Sequence, residues 1–134
     1  MTAPASIVLI VDDDVDLLEA VSLILERRGY RVLTATNGEQ ALEQLRDGPR
    51  PSLILIDLMM PGMDGWSLRQ KLLDNPAQAD IPTVVLSGDH AVLRNSPPPR
   101  CTKTLQKPVD LATLLDVVKQ SCALTENDLE RRQT

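Results

Sequence analysis

The sequence predicts a single doubly wound α/β domain, with five parallel strands and helices on both faces of the sheet. Three observations carry the prediction. Short apolar, β-branched runs alternate with stretches of helical spacing along nearly the whole chain, in the order βαβαβαβαβα. Two of those runs, Ile7 to Val11 and Leu53 to Ile56, are apolar without interruption, as strands buried on both faces are. The chain has 134 residues, 43% hydrophobic and 25% charged, which suits one core inside one charged surface.

The first strand, Ile7 to Val11, stops at Asp12-Asp13-Asp14. From Val15 to Arg28 the residues Leu17, Leu18, Val21, Ile24 and Leu25 recur at helical spacing, with Asp16 and Glu19 near the start and Gly29 as a stop. Arg31 to Ala35 is a short strand. Asn37-Gly38 then turns into a helix carrying Ala41, Leu42 and Leu45, ended by Gly48-Pro49. The central strand, bounded by Pro51 and Pro61, ends in Asp57, and Met60-Pro61-Gly62-Met63-Asp64-Gly65 after it is loop chemistry. Helical spacing resumes from Trp66 through Leu68, Leu72 and Leu73 until Asn75-Pro76 breaks it.

Thr83 to Leu86 is the fourth strand, ending at Ser87. Gly88 to Arg100 reads poorly as a helix, since Ala91, Val92 and Leu93 allow about two turns before Ser96-Pro97-Pro98-Pro99 stops it. A strand from Thr102 to Leu105 precedes Lys107-Pro108, and the last helix carries a stripe of Leu111, Leu114, Leu115, Val118 and Cys122. Residues 1–5 read as an N-terminal extension, 6–123 as the domain, and 124–134 as a tail that is either a helical extension or frayed.

Charge and composition exclude several classes. A net charge of −5 and the absence of a Lys/Arg run disfavour a nucleic-acid groove, and with no Phe, one Trp and one Tyr there is no stacking platform for bases. No apolar stretch approaches the roughly 18 residues that span a bilayer, and Met1-Thr2-Ala3-Pro4-Ala5 lacks an export signal. Cys101 and Cys122 read as reduced packing thiols, so the expected compartment is the cytoplasm.

In a parallel sheet, ligands sit beyond the carboxyl ends of the strands where the strand order reverses. In the flavodoxin-like order 2-1-3-4-5 that point lies between the first and third strands, whose ends carry Asp12, Asp13 and Asp57. Converging carboxylates repel one another, and a hard divalent cation with oxygen ligands, Mg²⁺ above all, relieves them. Lys107 supplies an ammonium from the fifth strand's end. Ser87 supplies a hydroxyl from the fourth.

This constellation resembles the receiver domain of two-component response regulators of the single-domain CheY-like kind, from about Ile7 to Ala123. The resemblance rests on Val11-Asp12-Asp13, on Asp57 with Met60-Pro61-Gly62-Met63-Asp64-Gly65, on Ser87-Gly88 and on Lys107-Pro108. It implies a phosphoacceptor at Asp57, served by a phosphohistidine of a sensor kinase or of a histidine phosphotransfer protein. It implies Mg²⁺ on Asp12, Asp13, Asp57 and the backbone carbonyl of Met59, with Ser87 and Lys107 on the phosphoryl oxygens. Such a domain is a signalling module rather than an enzyme, catalysing only its own phosphorylation and dephosphorylation, and it acts on a downstream protein. By the same resemblance, Met59 and Asp89 shape water access to the phosphoryl group, and Gly88 leaves room for it.

Two departures stand out. Thr104 occupies the position where the family usually has an aromatic switch residue, and the helix after the fourth strand is shortened and Pro-rich. An atypical output face, with Asp89 to Cys101 remodelled, is therefore expected. Plainer roles are expected elsewhere: Asp14 as a helix cap, His90 as a solvated loop residue, Trp66 sheltered in the first turn of its helix, and Asp64-Gly65 as turn geometry. Among rival functions, a haloacid dehalogenase-type phosphohydrolase resembles Asp-x-Asp where this chain has Met59. A flavin-binding domain needs a phosphate loop where this chain has three acids. The closer rival is a receiver-fold interaction module whose output does not depend on phosphorylation.

Overall fold

The structure, a computed structural model, describes residues 6–88 and 103–133, with side chains of the last helix described as far as Cys122. Strands β1 (Ile7–Val11), β2 (Arg31–Ala35), β3 (Leu53–Asp57), β4 (Thr83–Ser87) and β5 (Lys103–Gln106) form one parallel sheet in the order β2-β1-β3-β4-β5. Helices α1 (Val15–Arg27), α2 (Gly38–Asp47), α3 (Gly65–Asp74) and α4 (Leu111–Gln133) complete the described elements. The doubly wound fold and its strand order are those the sequence predicts.

Successive strand residues point to opposite faces, so each central strand feeds two cores. Val8, Ile10, Leu53, Leu55, Val84 and Leu86 face α1 and α4, where Leu18, Leu25, Leu114 and Val118 meet them. Leu9, Val11, Ile54 and Ile56 face the other way and pack on Ala41 of α2 and on Leu68 and Leu72 of α3. Every residue of β3 and β4 is buried. This double coverage is the reason those strands show no apolar–polar alternation. Each leucine so enclosed contributes about 1.5–3 kcal/mol.

The edge strands differ. β2 buries only Ala35, with Arg31 and Thr34 exposed and Val32 and Leu33 half-buried, and β5 buries only Leu105. At the carboxyl end of β2, α2 bonds the outward backbone: Gln44 Nε2 donates to the Thr34 carbonyl, and just past the strand Gln40 Oε1 accepts from the Thr36 N–H at 2.8 Å.

Three helices start on side-chain caps. Asp14, Asn37 and Asp64 accept from the N–H groups of Leu17 (3.1 Å), Gln40 (2.8 Å) and Ser67 (2.8 Å) respectively. Asp14 is thus the cap expected from the sequence. Asn37→Ala is expected to lower unfolding stability by about 1 kcal/mol, seen as an earlier urea midpoint at unchanged slope.

Differences from the expected elements are small and have physical reasons. β5 ends one residue later than predicted, because its register is set by pairing with β4, Ser87 opposite Gln106, and the predicted first residue, Thr102, lies outside the described residues. The backbone of α4 continues as helix to Gln133. Within its apolar stripe, Leu114, Val118 and Cys122 are buried, but Leu111, the first residue of the helix, is 45% exposed. The predicted short helix, the Ser96 to Pro99 stop, the remodelled Asp89 to Cys101 segment and His90 lie outside the described residues. Among those described, no helix is long and apolar enough to cross a membrane.

Candidate functional site

Strand register assembles the site. Val11 pairs with Ile56, Asp57 with Leu86, and Ser87 with Gln106, so the ends of β1, β3, β4 and β5 lie side by side. Asp12 follows β1, Asp57 ends β3, Ser87 ends β4 and Lys107 follows β5. Carboxylate oxygens of Asp12, Asp13 and Asp57 lie within 4.8 Å of one another. Asp12 and Asp57 are buried, whereas Asp13 is exposed.

Each group is held from the backbone. The Asp12 N–H donates to the Ala35 carbonyl at 3.0 Å, and its Oδ1 accepts from the Asp14 N–H at 2.9 Å. The Lys107 N–H donates to the Ser87 carbonyl at 2.7 Å, and the peptide bond between Lys107 and Pro108 is cis. From there the ammonium reaches across the sheet, donating to Asp12 Oδ2 at 2.8 Å and lying 3.4 Å from Asp57 Oδ1. Ser87 is fully buried at the adjacent strand end.

The electrostatics show an excess of negative charge. Burial, reinforced by the charge of Asp12, raises the Asp57 carboxyl above its ordinary value; Lys107 and a hydrogen bond from the Met59 N–H oppose that shift without cancelling it. Burial alone depresses Lys107, but the hydrogen bond and charge of Asp12, with the charge of Asp57, outweigh it and leave the ammonium above its ordinary value. One ammonium faces three carboxylates. A hard divalent ion fits this all-oxygen donor set and the uncompensated charge.

The loop after Asp57 is fixed by close approach. The Gly65 N–H donates to the Leu58 carbonyl at 2.9 Å, and a Cβ on Gly65 would lie 2.7 Å from Leu58 Cα and 3.0 Å from the Asp57 carbonyl oxygen. Helix α3 therefore starts against the peptide that carries the acidic side chain. Replacing a helical Gly by Ala ordinarily stabilises by about 0.5–1 kcal/mol. Here the clash reverses the sign: Gly65→Ala is expected to destabilise by about 1–3 kcal/mol and to weaken Mg²⁺ binding, read by urea unfolding and metal titration. Equal or greater stability in the variant would show that the loop has room.

Asp12, Asp13, Asp57 and Lys107 are brought together as predicted, and Ser87 stands beside them at the end of β4. The Met59 N–H points to Asp57, while its side chain is 57% exposed. Thr104, at the expected switch position, is exposed on β5. Two features were not read from the sequence: the pairing of Lys107 with Asp12 at shorter range than with Asp57, and the packing role of Gly65. A glycine opening a helical pattern was the available signal for the second.

A doubly wound sheet with buried acids and a lysine at its switch point leaves an acid cluster, at the place where such sheets bind ligands, that could hold a metal ion. Comparison with known proteins narrows this. Residues 8–119 match the family model for the response regulator receiver domain. The chain is 34% identical over 115 residues to the response regulator receiver protein CpdR of Brucella abortus, covering 84% of this chain and 93% of CpdR. It is 31% identical over 122 residues to sporulation initiation phosphotransferase F of Bacillus subtilis, covering 90% and 96% of the two chains. A response regulator receiver protein from Pseudomonas putida superimposes with a TM-score of 0.81 at 31% identity, over 89% of this chain and 99% of that one. The chain spans about a third of the length of other curated relatives it matches. It belongs to the response regulator receiver family, whose role in two-component signalling is that of phosphoacceptor.

Proposed function

We propose that Asp57 is the phosphoacceptor and that its donor is a phosphohistidine of a sensor histidine kinase or histidine phosphotransfer protein. The observation that carries the reading is the placement of Asp57 at the end of a buried strand, 3.4 Å from the Lys107 ammonium and beside two further acids. An oxygen of the Asp57 carboxylate forms the new O–P bond as the N–P bond of the donor breaks, the electron pair returning to the imidazole nitrogen. Lys107 and the Ser87 hydroxyl bind phosphoryl oxygens as charge redistributes over them. Asp12, Asp13, Asp57 and the Met59 backbone carbonyl would hold Mg²⁺, which would supply positive charge to the same oxygens.

Two features of this chain serve that step directly. The Met59 N–H on Asp57 and the Asp14 N–H on Asp12 aim the two buried carboxylates, so little reorganisation accompanies transfer. Lys107, bonded to Asp12 at 2.8 Å and 3.4 Å from Asp57 Oδ1, would share its three N–H donors between Asp12 and the phosphoryl group, which ties the ion pair to phosphorylation. In this reading residues 6–123 are the receiver unit, a cytoplasmic signalling domain rather than an enzyme with turnover, acting on a protein target without contacting nucleic acid. Exposed Thr104 supports an output that differs from an aromatic switch.

The test is transfer of label from a kinase domain phosphorylated on histidine with radioactive phosphate. Label is expected to move to this chain within minutes when Mg²⁺ is present and to stay on the kinase when EDTA replaces it. Retention on several unrelated kinase domains with Mg²⁺ present, together with no uptake from acetyl phosphate, would favour the interaction module.

A further inference from the structure

We propose that the cleft between α1 and α4 is a binding site for a small aliphatic cation of the alkylammonium type, and that this site shares a wall with the cluster around Asp57. A cavity of about 470 Å³ opens there, within the 300–1,000 Å³ range of small-ligand sites. Leu55 of β3 forms part of its floor, Leu17 and Val21 of α1 one side, and Leu114 of α4 the other. The chain has no Phe, and neither Trp66 nor Tyr30 reaches the lining. The walls therefore favour an alkyl chain over a stacked ring.

Charge at the mouth selects the head group. Lys107 lines the cavity but is spoken for by Asp12, at 2.8 Å. Asp14 also lines it, and its Oδ1 caps α1 by accepting from the Leu17 N–H at 3.1 Å. Its carboxylate is exposed, and it stands next to Asp13, so the charge left at the opening is negative. An ammonium gains there what a carboxylate loses. The apolar tail then replaces water against the aliphatic walls of the cleft. Because Asp12 and Lys107 belong to both sites, an occupant touches the same ion pair that phosphorylation disturbs.

Methyl NMR of the whole chain at saturating Mg²⁺ tests the site, with n-alkylamines, n-alcohols and n-alkylcarboxylates from butyl to octyl as probes. Saturating metal keeps the acid cluster filled, and binding is read independently of the phosphoacceptor assignment. Shifts are expected at Leu17, Val21 and Leu114, with affinity rising about threefold to fourfold per methylene and falling from amine to alcohol to carboxylate. Asp14→Asn is expected to erase the preference for amines over alcohols. Val21→Trp, or Leu17→Phe should the first not fold, is expected to abolish binding of all three series. Affinity independent of chain length, carboxylates binding as tightly as amines, or an absence of shifts at Leu17, Val21 and Leu114 would overturn the proposal.

Discussion

Asp57→Asn is expected to take up no phosphoryl group from acetyl phosphate and Mg²⁺, under conditions where the wild-type chain gains one as read by intact-protein mass spectrometry. The amide lacks the anionic oxygen that forms the O–P bond, and no neighbouring acid stands in for it. Asp12 is committed to Lys107 at 2.8 Å and to the Asp14 N–H at 2.9 Å, and Asp13 is exposed beyond the strand end. An adduct that persists in the variant would move the acceptor elsewhere. The same substitution is expected to stabilise the metal-free protein at neutral pH. Burial and Asp12 raise the folded-state carboxyl above its unfolded value, so the folded chain holds that proton more tightly than the unfolded one. Ionised Asp57 thus costs stability as pH rises through its folded range, and the gain from Asn should disappear in acid, where the wild-type carboxyl is protonated.

Lys107→Ala carries the second large effect. The ammonium neutralises two carboxylates whose side chains are 2% and 8% exposed, and its removal leaves them uncompensated. Metal-free protein should lose on the order of 3 kcal/mol at neutral pH, measured by urea unfolding. The pH dependence fixes the cause. Lys107 has a raised folded value, so its contribution is present below the ordinary lysine range and is lost as pH rises through the folded value. On the acid side the difference between variant and wild type should shrink as the Asp57 carboxyl protonates. Millimolar Mg²⁺ should restore much of the loss by supplying the missing charge, while phosphorylation stays slow because the phosphoryl oxygens lack the ammonium. A variant as stable as wild type at every pH would show that solvent already satisfies the pair.

How much of this was legible in the sequence follows burial. β1, β3 and β4 are covered on both faces, so their apolar runs are unbroken and their ends readable to the residue. β5 is an edge strand with Thr104 and Gln106 exposed, and a pattern with one buried residue leaves its carboxyl end open by one position. Asp12, Asp13, Asp57, Ser87 and Lys107 were legible as a group because a parallel sheet places strand ends together once the order is known. The contact between Lys107 and Asp12, 95 residues apart, was not, because which of two acids a long side chain prefers is a matter of angstroms. Gly65 was opaque for a related reason. Its φ is ordinary, and its importance is a distance to the Asp57–Leu58 peptide that no pattern of residue types encodes.

The glutamines that α2 lays along β2 bear on how the protein behaves when concentrated. An uncovered edge strand is a template on which a second chain can add, and the outward carbonyl of Thr34 and N–H of Thr36 are the groups such a chain would seek. With Gln44 and Gln40 already there, a newcomer must first displace two intramolecular bonds. Sheet extension from this side therefore costs those two bonds at the carboxyl end of β2, which opposes strand-to-strand self-association there.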